Sequence, residues 1–123
     1  MARILVIDDE KIVRMAISFK LKSMGHEVLE AEDGITGIRL YQDTQPDLVL
    51  TDIVLPDIEG IAIIKQLKIE FPDITIVAMS GGAKTESGNF IDEAISAGAY
   101  DAFEKSFEWK ELIEIVTKLF PDG

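Results

Sequence analysis

At 123 residues, with 47% hydrophobic and 28% charged residues, the chain has the length and composition of one globular domain spanning residues 1–123, and is neither disordered nor fibrous. It contains no cysteine, which excludes disulfides, thiolate metal sites and cysteine nucleophiles and fits a reducing, cytoplasmic setting. A formal net charge of −11 opposes direct binding to nucleic acid or anionic lipid, and no apolar run is long enough for a signal peptide or a membrane span.

Apolar runs and helical stripes alternate along the chain. Ile4–Ile7 is a short apolar run that predicts a strand buried on both faces. From Glu10 to Met24 the spacing of Val13, Ala16, Ile17, Leu21 and Met24 predicts a helix, stopped at Gly25. His26–Glu30 is a more polar strand, as a sheet edge requires. A helix follows from Gly34 to about Gln42, with Ile38 and Tyr41 inward, and after the Pro46-Asp47 turn Leu48–Thr51 is the third strand. Pro56 to Gly60 is a loop, Ile61 to Glu70 a helix carrying Ile63, Ile64 and Leu67, and Ile74–Met79 the fourth strand. Gly81-Gly82 opens a loop running to about Gly88, and a helix through Ile91, Ala94 and Ile95 stops at Gly98. Tyr100–Glu104 is the fifth strand, and Glu108 to Leu119 a last helix whose apolar face is Leu112, Ile113, Val116, Leu119 and Phe120. Five strand–helix units predict an α/β fold: a doubly wound parallel sheet with helices on both faces. An edge-like second strand beside buried first and third strands gives the order 2-1-3-4-5.

That order puts the switch point, where such sheets bind ligands, between the first and third strands. Both strands end in acid: Asp8 and Asp9 follow the first apolar run and Asp52 follows the second. Carboxylates gathered at one edge repel each other unless a cation lies among them, and an all-oxygen donor set suits Mg2+. Ser80 ends the fourth strand and Lys105 follows the fifth, so the same edge also gathers a hydroxyl and an ammonium. A cation with Lys105 can bind a dianionic phosphoryl group, and Ser80 can donate a hydrogen bond to it. Asp52 stands alone on the middle strand and is the better nucleophile for an acyl phosphate, while Asp8 and Asp9 form a pair suited to holding the metal.

These residues resemble the response-regulator receiver domain of two-component signalling over nearly the whole chain. The resemblance rests on Val6-Ile7-Asp8-Asp9-Glu10, on Pro46-Asp47-Leu48-Val49-Leu50-Thr51-Asp52-Ile53-Val54-Leu55-Pro56 with Gly60, on Met79-Ser80-Gly81, and on Ala97-Gly98-Ala99 leading to Lys105. It implies the flavodoxin-like receiver fold. It implies that Asp52 accepts phosphate from a phosphohistidine on a histidine kinase or histidine phosphotransfer protein. Mg2+ would lie among Asp8, Asp9, Asp52 and the backbone carbonyl of Val54, and Lys105 would contact the phosphoryl group. Ser80 would move to bond it and reshape the face made by the fourth helix, fifth strand and fifth helix, altering affinity for a downstream protein target.

The chain departs from the family pattern at three places. Ser106 follows Lys105 where most members have a proline in a cis bond. Ala102 occupies the place of the usual switch tyrosine or phenylalanine, and its neighbour Phe103 points to the opposite face as core. The segment Gly82-Ala83-Lys84-Thr85-Glu86-Ser87-Gly88 is longer than the family norm and is expected to sample several conformations. The positions that tune phosphate lifetime, two past the acceptor and two past the hydroxyl, are Val54 and Gly82. Neither side chain can orient an attacking water, which predicts slow self-dephosphorylation.

A receiver-like binding module that signals without phosphorylation is the competing expectation, favoured by Ala102 and Ser106 and opposed by the complete acid, hydroxyl and lysine set. A magnesium-dependent phosphohydrolase of the dehalogenase type needs a second aspartate where Val54 stands. His26, Trp109 and the methionines Met15, Met24 and Met79 are expected to be structural or packing residues. Only Pro121-Asp122-Gly123 follows the last helix, so the chain either works alone or belongs to a longer protein.

Overall fold

Strand residues with alternating destinations build two cores on one sheet. Leu5, Ile7, Val49, Ile76, Ala78 and Ala102 join one buried cluster, while Ile4, Val6, Leu48, Leu50, Val77, Met79 and Phe103 join another. The period of two along each strand sends neighbours to opposite faces. The structure, a computed structural model, describes residues 1–81, 89–106 and 108–121. The strands are β1 (Arg3–Ile7), β2 (Glu27–Ala31), β3 (Leu48–Asp52), β4 (Ile76–Ser80) and β5 (Asp101–Glu104). The helices are α1 (Lys11–Ser23), α2 (Gly34–Thr44), α3 (Gly60–Glu70), α4 (Phe90–Ala97) and α5 (Lys110–Leu119). The strands are all parallel, in the expected order β2-β1-β3-β4-β5.

Helices cover both faces, as expected. Ile38 and Tyr41 of α2, Ile63, Ile64 and Leu67 of α3, and Phe90 and Ala94 of α4 pack in the first cluster; Ile17 and Leu21 of α1 and Leu112, Ile115 and Val116 of α5 pack in the second. Every residue of β3 and β4 is buried, whereas β2 is half exposed, consistent with its place at the edge. Truncating a fully buried side chain such as Leu50 or Ile64 to alanine removes contacts worth about 2–5 kcal/mol.

Three expected apolar faces are corrected. In α1 the buried residues are Ile17, Ser18 and Leu21, and Ala16 and Met15 are exposed. The helix is rotated so that Ile12, Met15, Ala16 and Phe19 line its outer face. In α5, Ile115 is buried and Ile113 is only half-buried, and in α4 Ile95 is exposed. Contiguous apolar residues there allow several stripes, and the angle at which the helix meets the sheet selects one. Strands β4 and β5 begin later than expected, because Ile74, Thr75 and Tyr100 precede their ladders. Trp109 stands just before α5 in a left-handed conformation (φ 53°) and packs against the second cluster.

Candidate functional site

The ladders end in step at the carboxyl edge. Ile7 pairs with Thr51, Asp52 with Met79, and Ser80 with Glu104. Three backbone bonds extend this row past the strands: Asp8 N–H to the Ala31 carbonyl at 3.1 Å, Ile53 N–H to the Met79 carbonyl at 3.2 Å, and Lys105 N–H to the Ser80 carbonyl at 2.8 Å. Asp8, Asp52, Ser80 and Lys105 are therefore neighbours because their strands are in register.

Asp8 is fully buried and Asp52 nearly so, while Asp9 is exposed. Lys105 reaches in from the end of β5 and its Nζ donates to Asp8 Oδ2 at 2.7 Å and to Asp52 Oδ2 at 2.8 Å. The remaining oxygens have backbone donors: Asp8 Oδ1 accepts from Glu10 N–H at 2.9 Å, and Asp52 Oδ1 from Val54 N–H at 3.1 Å. Burial pushes the Lys105 ammonium down, but the hydrogen bonds and charges of Asp52 and Asp8 outweigh it and hold the group above the usual lysine value. One oxygen from each of Asp8, Asp9 and Asp52 lies within 4.8 Å of the others. Three formal carboxylate charges against one ammonium leave two negative charges uncompensated. The donor set, oxygen-only and over-charged, fits a hard divalent cation such as Mg2+.

Ser80 is buried at the end of β4, at the same edge. Val54 is exposed in the loop after β3. Ala102 is a buried core residue opposite Ala78, and Phe103 is buried on the other face as expected. No cis peptide occurs among the described residues, so the Lys105–Ser106 bond is trans. Gly82 and the long polar segment through Gly88 lie outside the described residues.

Two residues of the site's surroundings carry no signal in the sequence. Arg14 of α1 donates from Nη1 to the Asp8 carbonyl at 2.7 Å and from Nε to Glu30 at 3.0 Å. Asp57, in the loop after β3, accepts from the first two amides of α2, Gly34 N–H at 2.8 Å and Ile35 N–H at 2.9 Å. Their partners lie on other elements, and a one-dimensional pattern does not show such pairings.

Comparison with known proteins agrees with this geometry. Residues 4–117 match the family model described as the response regulator receiver domain. The chain is 34% identical over 117 residues to the chemotaxis protein CheY of Bacillus subtilis, covering 94% of this chain and 95% of that protein. It is 35% identical over 120 residues to the DNA-binding transcriptional regulator NtrC of Azospirillum brasilense, covering 95% of this chain but 24% of that protein. The chain thus spans about a quarter of the length of NtrC and of the regulatory protein AtoC of Escherichia coli. Among solved structures, the response regulator protein TrrA of Thermotoga maritima, in complex with Mg2+ and BeF, superposes with a TM-score of 0.87 at 32% identity, covering 98% of this chain and 100% of that one. The chain belongs to the response regulator receiver domain family. Its function is that of a receiver in two-component, phosphorylation-based signalling, and its relatives of this class are phosphoryl acceptors.

Proposed function

We propose that Asp52 is the phosphoryl acceptor, taking the group from a phosphohistidine on a histidine kinase or histidine phosphotransfer protein. The observation that carries this is the convergence of Asp8, Asp9 and Asp52 with one buried lysine shared between two of them. In the reaction an Asp52 carboxylate oxygen forms a bond to phosphorus as the P–N bond to the donor imidazole breaks, and the imidazole leaves with the electron pair. Asp8, Asp9, Asp52 and the Val54 carbonyl would hold Mg2+, which when bound supplies charge neutralisation for the phosphoryl oxygens. Lys105 exchanges its bond to Asp52 for one to the phosphoryl group and needs no proton transfer, because its ammonium is held in the charged form. Ser80, at the adjacent strand end, donates to the same group. The chain turns over no external substrate; it promotes only the making and loss of its own phosphoaspartate. Val54 and the position of Gly82 offer no group to orient water, so loss is slow.

The outer face of α1 supports a docked donor. Ile12, Met15, Ala16 and Phe19 form an exposed apolar stripe that starts three residues after Asp9, at the rim where a donor histidine must arrive. The output surface is the α4–β5–α5 face, where a cavity of about 370 Å3 is lined by Ile91 of α4, Ala102 and Phe103 of β5, and Glu111 and Ile115 of α5 among others. The proposed setting is the cytoplasm. Among the described residues no helix is long and apolar enough to cross a membrane. This segment does not itself contact nucleic acid, in keeping with its charge of −11.

The test is incubation with acetyl phosphate and Mg2+, followed by intact mass. A phosphate adduct that disappears in Asp52→Asn is the expected result. An adduct that persists in Asp52→Asn moves the acceptor elsewhere, and no adduct in the wild-type chain favours the non-phosphorylated binding module.

A further inference from the structure

The loop between β3 and α3 carries Val54, and three hydrogen-bonded anchors hold it. Val54 N–H donates to Asp52 Oδ1 at 3.1 Å, and Gly60 N–H closes the loop onto the Ile53 carbonyl at 2.8 Å. The third anchor leaves the loop altogether. Asp57 spans to α2, its Oδ1 accepting from Gly34 N–H at 2.8 Å and its Oδ2 from Ile35 N–H at 2.9 Å, and its Oδ1 also accepts from Ile58 N–H at 2.9 Å.

Helix α2 does not need Asp57 in order to have a cap. Its N-cap residue Asp33 already accepts from Thr36 N–H at 2.8 Å. The second carboxylate comes from 23 residues away and takes the two remaining amides of the first turn. The approach is close enough that a Cβ on Gly34 would collide with the Ile58 side chain, so any larger residue would push the loop away. Helix α2 is in turn seated on β1, because Gly37 packs directly against the Ile7 side chain, one residue before Asp8. A continuous chain of packed and bonded groups therefore runs from β1 through α2 to Asp57 and back to Val54 and Asp52.

Resting on the acceptor site proposed above, we propose that Asp57 is a positioning residue: its bidentate clamp on α2 fixes the β3–α3 loop, and with it the Val54 backbone, relative to the Asp8 end of β1. The carboxylate touches no reacting atom. It sets the spacing between two contributors to the cation site that come from different strands. Burial pushes the Asp57 carboxyl up, but the amides of Ile35, Gly34 and Ile58 outweigh it and hold the group below the usual aspartate value, so the clamp is charged throughout the neutral range.

The test compares the wild-type chain with Asp57→Ala and Asp57→Asn. Backbone amide exchange is read in metal-free protein, Mg2+ affinity by calorimetry, and the Mg2+ dependence of acetyl phosphate labelling by mass. In Asp57→Ala the Val54 amide is expected to exchange faster along with Gly34 and Ile35, and Mg2+ affinity to fall about tenfold, the usual scale for a group that orients a ligand. The labelling defect falls mainly on the Mg2+ concentration needed and less on the limiting rate. Asp57→Asn keeps one acceptor oxygen and recovers part of the affinity. Faster exchange confined to Gly34 and Ile35, with unchanged Mg2+ affinity, overturns the proposal and leaves Asp57 as a second helix cap. Wild-type protein that binds no Mg2+ overturns the acceptor site and this role with it, whereas normal wild-type binding and labelling with an unaffected Asp57→Ala overturns the role of Asp57 alone.

Discussion

The two rims of the sheet use aspartate in opposite ways. At the amino rim, Asp47 precedes β3 and closes a reciprocal pair with Arg3: its Oδ2 accepts from Arg3 N–H at 2.9 Å and its own N–H donates to the Arg3 carbonyl at 2.8 Å. That carboxylate is matched to a local donor and tethers two strands. At the carboxyl rim the same two strands end in Asp8 and Asp52, which share one ammonium while Asp9 stands beside them. One rim is electrostatically satisfied and the other holds excess like charge. Aspartate at a strand end is therefore not itself a functional signal; what distinguishes the carboxyl rim is the shortage of positive charge. Such a rim gains from a bound cation, and a phosphoryl group added there brings further negative charge that makes the cation more necessary still.

The largest way to break this contrast is to remove the shared ammonium. Lys105→Met leaves Asp8 buried without its cation and is expected to cost about 3 kcal/mol in urea unfolding without Mg2+. Mg2+ should restore part of that loss, and adding Asp8→Asn to the variant should restore more. Full stability in Lys105→Met would mean that the carboxylates are already compensated by other groups. The sign with pH is fixed as well. The folded Lys105 value lies above the unfolded one, so its contribution is complete below about pH 10.4 and disappears as pH rises through the folded value.

A smaller effect of opposite sign is expected on relieving the excess. Asp9 is exposed and has neither Asp8's buried setting nor the lysine bond, so Asp9→Asn should stabilise the metal-free protein by roughly 0.5–1 kcal/mol after solvent screening, a rise of a few degrees in Tm. The same variant should bind Mg2+ more weakly, so the stabilising effect reverses once Mg2+ is added. At the amino rim Asp47→Asn should show neither Mg2+ dependence nor stabilisation. A Mg2+ response equal at the two rims would remove the distinction drawn between them.

How much of this was legible from the residues follows from the range of each interaction. Strand order and the gathering of Asp8, Asp9, Asp52, Ser80 and Lys105 at one edge follow from short apolar runs, their terminal residues and the rules of parallel crossovers, and the structure has the same order and the same gathering. The opposite burial of Ala102 and Phe103 likewise follows from strand alternation. The outward turn of Met15 and Ala16 was not legible, because Ile12 to Ile17 contains enough apolar residues to support more than one helical face. The Asp57 clamp was hidden for a different reason. An aspartate after a proline in a loop looks like turn chemistry, and only the packing of α2 against the β3–α3 loop brings Gly34 and Ile35 to it.

The smallest expected effect belongs to the amino rim and its one titratable residue in the neutral range. His26 is buried, its Nδ1 accepts from Ala2 N–H at 3.1 Å, and its ring packs 5.8 Å from that of Phe120. Burial lowers its pKa from the ordinary value, and the positive N-terminus lowers it further. Protonation would turn Nδ1 from an acceptor into a donor facing a backbone N–H, so the bond and the charge state exclude each other. The folded value lies below the unfolded one of about 6.5, so the unfolded chain binds the proton more readily. The stability from neutral His26 is therefore complete above about pH 6.5 and lost as pH falls through the folded value. Urea midpoints measured from pH 7.5 down to 5 should decline in the wild-type chain and flatten in His26→Gln, which keeps an acceptor but does not titrate. As the only histidine in the chain, its ring resonances give the folded pKa without ambiguity. A midpoint at or above 6.5 would show that this rim too carries an unmet charge, and the contrast between the rims would narrow to the metal alone.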